Sequence, residues 1–141
     1  MNLLARREHS RAELERKLQA RECDSEEISA VLTALERDNL LSDSRFAEAF
    51  VDSRLSRGDG PMKIQHRLRQ RGVESAIADV AMNNVTVDWV ARAARERVKR
   101  FGADAPHDYH ERARQSRFLS QRGFTSSQIR GSFDESDEDE F

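Results

Sequence analysis

Apolar residues recur along this chain at helical spacing, and no segment alternates convincingly with the period of two that a strand requires. Leu14 and Leu18 form an apolar stripe behind Ser10-Arg-Ala-Glu13, a capping box in which the serine hydroxyl and the glutamate bind the first free backbone amides of a helix. The next helix is predicted to begin near Asp24, with Ile28, Val31, Leu32 and Leu35 at core positions. The pattern therefore predicts an all-α protein.

Glycine and proline mark the strongest break in this pattern, at Gly58-Asp-Gly60-Pro61. A third helix, capped at Ser42 or Asp43, is predicted before the break, with Phe46, Phe50 and Leu55 as its apolar positions. After the break, Pro61 suits the first turn of a fourth helix, where its missing N–H costs no hydrogen bond. That helix would bury Ile64 and Leu68 and end at Gly72, which can adopt the left-handed conformation of a C-cap.

Four more helices are predicted in the second half of the chain. They run from about Ser75 to Asn83, from about Val87 to Arg100, from about His107 to Gln121, and around Ser126–Ser132. In the second of these, the predicted buried residues are Trp89, Val90, Ala94 and Phe101. Residues 134–141 carry six acidic and no basic side chains, so they are predicted to be a disordered tail.

One short pattern occurs three times. Leu18-Gln-Ala-Arg21-Glu22-Cys23 recurs as Leu68-Arg-Gln-Arg71-Gly72-Val73 and as Leu119-Ser-Gln-Arg122-Gly123-Phe124. Repetition at this period is typical of stacked units, each too small to bury its apolar face alone. We expect tandem three-helix repeats at residues 1–58 and 59–102 and a shortened third at 103–133, before the tail at 134–141. Cys23 stands where the other copies have Val73 and Phe124, which predicts a small core residue.

Charge is distributed unevenly along the chain. The formal net charge of −2 includes the acidic tail, without which 24 basic residues face 20 acidic ones. Residues 54–72 hold six basic side chains and one acidic one, and residues 92–122 hold nine against four. These two local excesses predict a basic strip that could bind phosphate or an acidic partner.

The fourth helix carries the clearest part of this strip, because Lys63 and Arg67 are four residues apart and project together beside the apolar face. The candidate partner-binding residues are Arg54, Arg57, Lys63, Arg67, Arg69, Arg71, Arg114, Arg117 and Arg122. Two alternatives remain open. The arginines could be ordinary surface side chains that lie over small cores, or the units could be helical DNA-binding repeats.

Catalytic and cofactor chemistry lacks a recognisable motif. The chain has neither a GxxxxGK[ST] loop nor a GxGxxG fingerprint, and its histidines lack partners at metal-binding spacing. We therefore expect a protein that is not an enzyme and needs no cofactor or metal. The first residues lack the apolar core of a signal peptide, no stretch is long enough for a membrane span, and the single cysteine fits a reducing compartment. These features predict a cytoplasmic protein.

Several stretches, taken in order, resemble the RecX family of regulators of the RecA recombinase. They are Leu4-Ala-Arg-Arg-Glu-His-Ser10 with Glu13-Leu14 and Lys17-Leu18, then Leu41-Ser-Asp-Ser-Arg45-Phe46-Ala-Glu-Ala-Phe50, then Ser53-Arg54-Leu55 with Gly58-Asp-Gly60-Pro61-Met-Lys-Ile64 and Leu68-Arg-Gln-Arg71-Gly72-Val73, and finally Arg117-Phe118-Leu119 with Arg122-Gly123-Phe124. The resemblance covers residues 3 to 131. Glu22 departs from it, since the other copies have glycine at that position.

The resemblance implies three tandem three-helix repeats in a curved, elongated molecule. It also implies binding in the groove of RecA filaments on single-stranded DNA, with inhibition of ATP hydrolysis, strand exchange and co-protease activity. Such a protein would restrain recombination and the SOS response, and a monomer is the simpler expectation. The rival hypothesis is a protein that binds DNA directly, whose affinity would fall steeply with salt.

Overall fold

The computed structural model of this chain describes residues 7–138, with the side chains described up to residue 134, and in that range it contains eight helices and no strand. The helices are α1 (Arg11–Ala20), α2 (Ser25–Arg37), α3 (Asp43–Ser56), α4 (Pro61–Gln70), α5 (Ser75–Asn83), α6 (Trp89–Phe101), α7 (Tyr109–Gln121) and α8 (Ser126–Glu138). The predicted all-α fold is confirmed. No helix in the described range is long and apolar enough to cross a membrane.

The predicted caps are present at the beginnings of the helices. The hydroxyl of Ser10 accepts the backbone N–H of Glu13 at 3.1 Å, and the Glu13 carboxylate accepts the backbone N–H of Ser10 at the same distance. Ser42 caps α3 by accepting the N–H of Arg45 at 3.2 Å, and Pro61 is the first residue of α4. Each interaction is local in sequence, which explains why the pattern identified it.

The three copies of the repeated pattern all place a left-handed residue after their helix. Gly72 has a φ of +82° after α4, Gly123 has a φ of +98° after α7, and Glu22 has a φ of +61° after α1. A side chain in this region is strained, and glycine avoids the strain. The first copy therefore keeps the backbone geometry of the others without the residue that favours it.

The chain divides into two compact units, and the division passes through α3 and α4. The first unit contains the described parts of 1–52 together with 65–84, and one cluster of its core consists of Leu14, Ile28, Leu32 and Leu41, with Leu18 and Leu35 packed against it. The second unit contains 53–64 and the described part of 85–141, and its core cluster consists of Ala93, Leu119, Phe124, Ile129 and Phe133, with Trp89 and Phe118 packed against it. Ile64 and Leu68, the predicted core residues of α4, are both fully buried.

Two predicted core positions are wrong. Val31 is 49% exposed, because the buried face of α2 is centred on Ile28 and Leu32. Cys23 is exposed, although Val73 and Phe124 at the same place in the pattern are buried. The position is repeated in sequence but not in packing, so the threefold pattern does not predict its burial.

The inner face of α6 also differs from the prediction. Ala93 and Arg97 are fully buried, whereas Trp89, Val90, Ala94 and Phe101 are only partly buried. In steps of four residues, the inner face of α6 runs from Trp89 through Ala93 and Arg97 to Phe101. A search for apolar residues does not find Arg97.

The eighth helix extends to Glu138, six residues beyond the predicted Ser132. It therefore overlaps the predicted acidic tail at 134–138, whereas residues 139–141 lie outside the described part of the chain. Residues 1–6, which the first predicted repeat includes, also lie outside it.

Candidate partner-binding surface

In the second unit, two of the nine candidate cations contact one buried acid. Arg54 Nη1 lies 3.4 Å from Oδ2 of Asp59, and Lys63 Nζ lies 3.6 Å from Oδ1 of the same residue. The Asp59 side chain is 4% exposed, against 15% for Arg54 and 29% for Lys63. Because a buried carboxylate is stabilised by nearby counter-charges, both cations help to hold the loop between α3 and α4 in place.

Arg122 is also engaged inside the second unit. Its Nη1 donates to the backbone carbonyl of Arg57 at 3.0 Å and lies 3.9 Å from a carboxylate oxygen of Glu96. Its guanidinium lies over the Phe118 ring, 5.2 Å from the centroid, and its own carbonyl accepts the N–H of Gly60 at 2.7 Å. These contacts join the end of α7 to the beginning of α4, so the Arg122 side chain is already held inside the second unit.

Arg71 has in the first unit the same position of the repeated pattern that Arg122 has in the second. Its Nη1 lies 2.8 Å from Oε2 of Glu13, its guanidinium lies 5.6 Å from the centroid of Phe50, and its carbonyl accepts the hydroxyl of Ser10 at 2.6 Å. Burial raises the pKa of Glu13, but hydrogen bonds from Arg7, Ser10 and Arg71 outweigh it, and the pKa is lowered overall. The end of α4 is therefore joined to the beginning of α1 by an ionised carboxylate.

Arg114 pairs with an acid on its own helix. Its Nη2 lies 2.7 Å from Glu111 Oε1, and its guanidinium lies 4.8 Å from the centroid of Phe101. The hydrogen bond from Arg114, followed by one from Gln115, lowers the pKa of Glu111 to about 2. Arg114 is exposed and Glu111 is partly exposed, so the pair is sensitive to salt, and Arg114 can exchange its partner for an incoming anion.

Four of the nine candidates differ from the others. The guanidinium groups of Arg57, Arg67, Arg69 and Arg117 make no hydrogen bond or ion pair with any residue that the structure describes. Arg57, Arg69 and Arg117 are exposed, and Arg67 is half-buried. Arg57 and Arg117 belong to the second unit, and Arg67 and Arg69 belong to the first.

A small polar pocket adjoins one of these four in the first unit. It has a volume of about 110 Å³ and is lined by Gln65, Arg69, Ser75, Ala78 and Asp79. Arg69 and Asp79 contribute opposite charges, so the pocket does not favour anions as a single guanidinium would. The described residues contain no group of three histidine, cysteine or acidic side chains that could hold a metal ion.

Two structural charges could not be recognised from the sequence. Asp59 is the single acid in a basic stretch, and its position between two glycines gave no sign of its burial. Arg97 is fully buried in the second unit, where Nη2 lies 3.3 Å from the carbonyl of Ser132. Its guanidinium lies 4.9 Å from the centroid of Phe133, and that of Arg112 lies 4.3 Å from the same centroid.

The succession of units can be compared with known proteins. Models of the first, second and third three-helix domains of RecX match residues 1–35, 42–82 and 87–131. The chain belongs to the RecX family. These ranges place α3 with α4 and α5, and α6 with α7 and α8, whereas the repeats predicted from the sequence end at 58 and 102. The predicted boundaries remain a prediction.

Curated relatives and solved structures agree with this assignment. The chain is 47% identical over 140 residues to the regulatory protein RecX of Halorhodospira halophila, covering 99% of this chain and 87% of the relative. It is 43% identical over 129 residues to the same protein of Pseudomonas fluorescens, covering 92% and 83%. A crystal structure of RecX from Lactobacillus salivarius superposes with a TM-score of 0.79 at 24% identity, covering 95% of this chain and 89% of that one, which supports the fold.

Proposed function

We propose that this chain is a non-enzymatic cytoplasmic regulator that binds RecA filaments on single-stranded DNA. It inhibits ATP hydrolysis, strand exchange and co-protease activity by the filament, and so restrains recombination and the SOS response. Membership of the RecX family and the regulatory names of the relatives support this proposal. The ATPase chemistry belongs to the partner, and the chain contributes a binding surface.

The observation that carries the proposal is the set of four guanidinium groups, at Arg57, Arg67, Arg69 and Arg117, that have no hydrogen-bond or ion-pair partner among the described residues. An exposed arginine of this kind can bind a carboxylate or phosphate without first giving up another ion pair. The other five candidates must exchange or share an existing contact. We therefore expect these four to contribute more to partner binding than Arg54, Lys63, Arg71, Arg114 or Arg122.

The test measures RecA's single-strand-dependent ATPase while the protein is titrated. Replacing Arg57 and Arg117 together by alanine should raise the concentration for half-inhibition. The matched control replaces Arg95 and Arg130, which are also exposed arginines of the second unit without a described polar partner. If the two double variants inhibit equally, these residues are ordinary solvated surface.

The first unit is tested in the same way. Replacing Arg67 and Arg69 should weaken inhibition, and the matched control replaces Arg21 and Arg37, two exposed arginines elsewhere in that unit. Absence of inhibition by the unaltered protein, at concentrations far below those that coat the DNA, would contradict the proposed function itself.

Direct DNA binding is the rival outcome of the same titration. A protein that acts by coating DNA should inhibit only near saturation of the strand. Its affinity should fall steeply with salt because each neutralised phosphate releases a counterion. A filament regulator should instead inhibit at a low ratio of protein to nucleotide, with a shallower dependence on salt.

A further inference from the structure

The loop between α3 and α4 is buried along its last three residues, Gly58, Asp59 and Gly60. A methyl group on Gly58 would overlap the Glu96 carboxylate, and one on Gly60 would overlap the backbone of Gly123. The N–H of Asp59 donates to the carbonyl of Arg54 at 3.1 Å, and the N–H of Gly60 donates to the carbonyl of Arg122 at 2.7 Å. Close packing and hydrogen bonds on both sides therefore fix the backbone of Asp59.

The fixed backbone holds a carboxylate whose two oxygens contact different cations. Oδ2 lies 3.4 Å from Arg54 Nη1, and Oδ1 lies 3.6 Å from Lys63 Nζ. Arg54 is the more buried of the two cations, at 15% side-chain exposure, whereas Lys63 retains 29%. An ammonium group has three donors, so Lys63 can contact Asp59 and still present donors to solvent.

Lys63 is restrained near its backbone as well as at its charge. A methyl group on Gly123 would overlap Lys63 Cβ and lie 2.6 Å from its backbone nitrogen, so the lysine stem begins against the end of α7. A lysine normally loses much rotamer freedom when a partner immobilises it. Here packing at the stem and an ion pair at the tip have already removed part of that freedom.

We infer that Asp59 is a positioning residue that holds the Lys63 ammonium in place for an acidic side chain of the protein partner. The inference rests on the proposed binding to the RecA filament and identifies the chemistry that one part of the surface recognises. The local charges favour a carboxylate over DNA phosphate. Phosphate binding rewards net positive charge, which the buried acid reduces, whereas pairing with a single carboxylate gains from an ammonium group that is already restrained before binding.

Replacing Asp59 by asparagine separates these two roles, because the variant gains one unit of positive charge and loses the anchor of Lys63. The concentration for half-inhibition of RecA's ATPase should rise about two- to tenfold, the cost of ordering one long side chain on binding. Binding to single-stranded DNA without RecA should be unchanged or tighter. The matched control is Asp104→Asn, which makes the same charge change at an exposed loop position of the second unit.

A double-mutant cycle decides whether Asp59 acts through Lys63. Lys63→Met keeps most of the stem and removes the ammonium, so it should weaken inhibition by itself. In that background, Asp59→Asn should have little further effect, whereas a purely structural role would give the same loss in both backgrounds. Urea unfolding of each variant corrects the ATPase data for the folded fraction.

Three results would overturn the inference. Inhibition by Asp59→Asn could equal that by Asp104→Asn, its loss could persist in full with Lys63→Met, or Lys63→Met could inhibit as well as the unaltered protein. The last result decides the matter even if Asp59→Asn does not fold. Failure of the unaltered protein to inhibit RecA would instead contradict the proposed function.

Discussion

Gly72 should tolerate no side chain, and the cost of adding one divides into two parts that can be measured separately. Its φ of +82° imposes strain of about 1–2 kcal/mol on alanine. A methyl group there would also overlap Cβ of Ala12 on α1, which adds about 1–3 kcal/mol for overpacking. We therefore expect Gly72→Ala to reduce the free energy of unfolding by about 2–5 kcal/mol.

Removing the overlapping atom should recover the second part alone. The side chain of Ala12 ends at Cβ, and its Cα would lie 3.7 Å from the added methyl group, which is ordinary contact. Ala12→Gly should cost about 1 kcal/mol as a glycine within a helix. The double variant should nevertheless be about 1–3 kcal/mol more stable than the sum of the two single changes predicts.

Two other glycines provide the controls. Gly123 also has a positive φ, but a methyl group there would lie 2.6 Å from the backbone nitrogen of Lys63 as well as overlapping its Cβ. Lys63→Gly should therefore fail to rescue Gly123→Ala. Gly102 has a φ of +90° and no atom within 4 Å of the added methyl group, so Gly102→Ala should show only a backbone cost of about 1–3 kcal/mol.

Urea unfolding followed by circular dichroism gives each free energy, with the slope of the transition compared among variants. Additivity of Gly72→Ala and Ala12→Gly within about 0.5 kcal/mol would refute the reasoning, because residues without a shared contact behave in that way. Equal rescue at Gly72 and Gly123 would also refute it, since the backbone of α4 cannot be removed by a side-chain substitution.

Three further predictions concern charge and backbone strain. Burial, followed by the charges of Arg7 and Lys17, lowers the pKa of His9 below 6.5. The stability that neutral His9 contributes should therefore be complete above pH 6.5 and be lost as the pH falls below it. Between pH 7.5 and 5.5, the midpoint of urea unfolding should drop less for His9→Gln than for the unaltered protein. Glu13→Gln removes the pairs with Arg7 at 3.0 Å and Arg71 at 2.8 Å and should cost about 1–3 kcal/mol in urea unfolding at neutral pH, with little change if both pairs are dispensable. Glu22→Gly removes the backbone strain of an exposed residue with a φ of +61° and should raise the free energy of unfolding by about 0.5–1 kcal/mol. Calorimetry should show this as a higher melting temperature, whereas a lower one would show that the glutamate makes a stabilising contact.

The sequence predicted the structural features that depend on interactions between residues close together in the chain. The capping box at Ser10, the break at Gly58–Pro61 and the left-handed glycines at 72 and 123 all depend on interactions within a few residues. The apolar stripe of α4 succeeded for the same reason, because helical periodicity alone places Ile64 and Leu68 on one face.

Contacts between distant segments could not be predicted in this way. Arg71 meets Glu13, 58 residues away, and Arg122 meets the carbonyl of Arg57, 65 residues away. Spacing along the chain indicates which face a side chain occupies but not which helix packs against that face. The exposure of Cys23 has the same origin, since its neighbours differ from those of Val73 and Phe124.

Arg71 and Arg122 are both candidate partner-binding residues and both recur in the repeated pattern, and their contacts explain this recurrence without a partner. Each arginine precedes a left-handed glycine, and the carbonyl of each accepts a hydrogen bond from the beginning of another helix, from Ser10 in one case and Gly60 in the other. A joint between helices recurs whenever the repeat recurs, whether or not a partner binds. Residues that select a partner need no such period, so the cations outside the joints, such as Arg57 and Arg117, are the sharper test of binding.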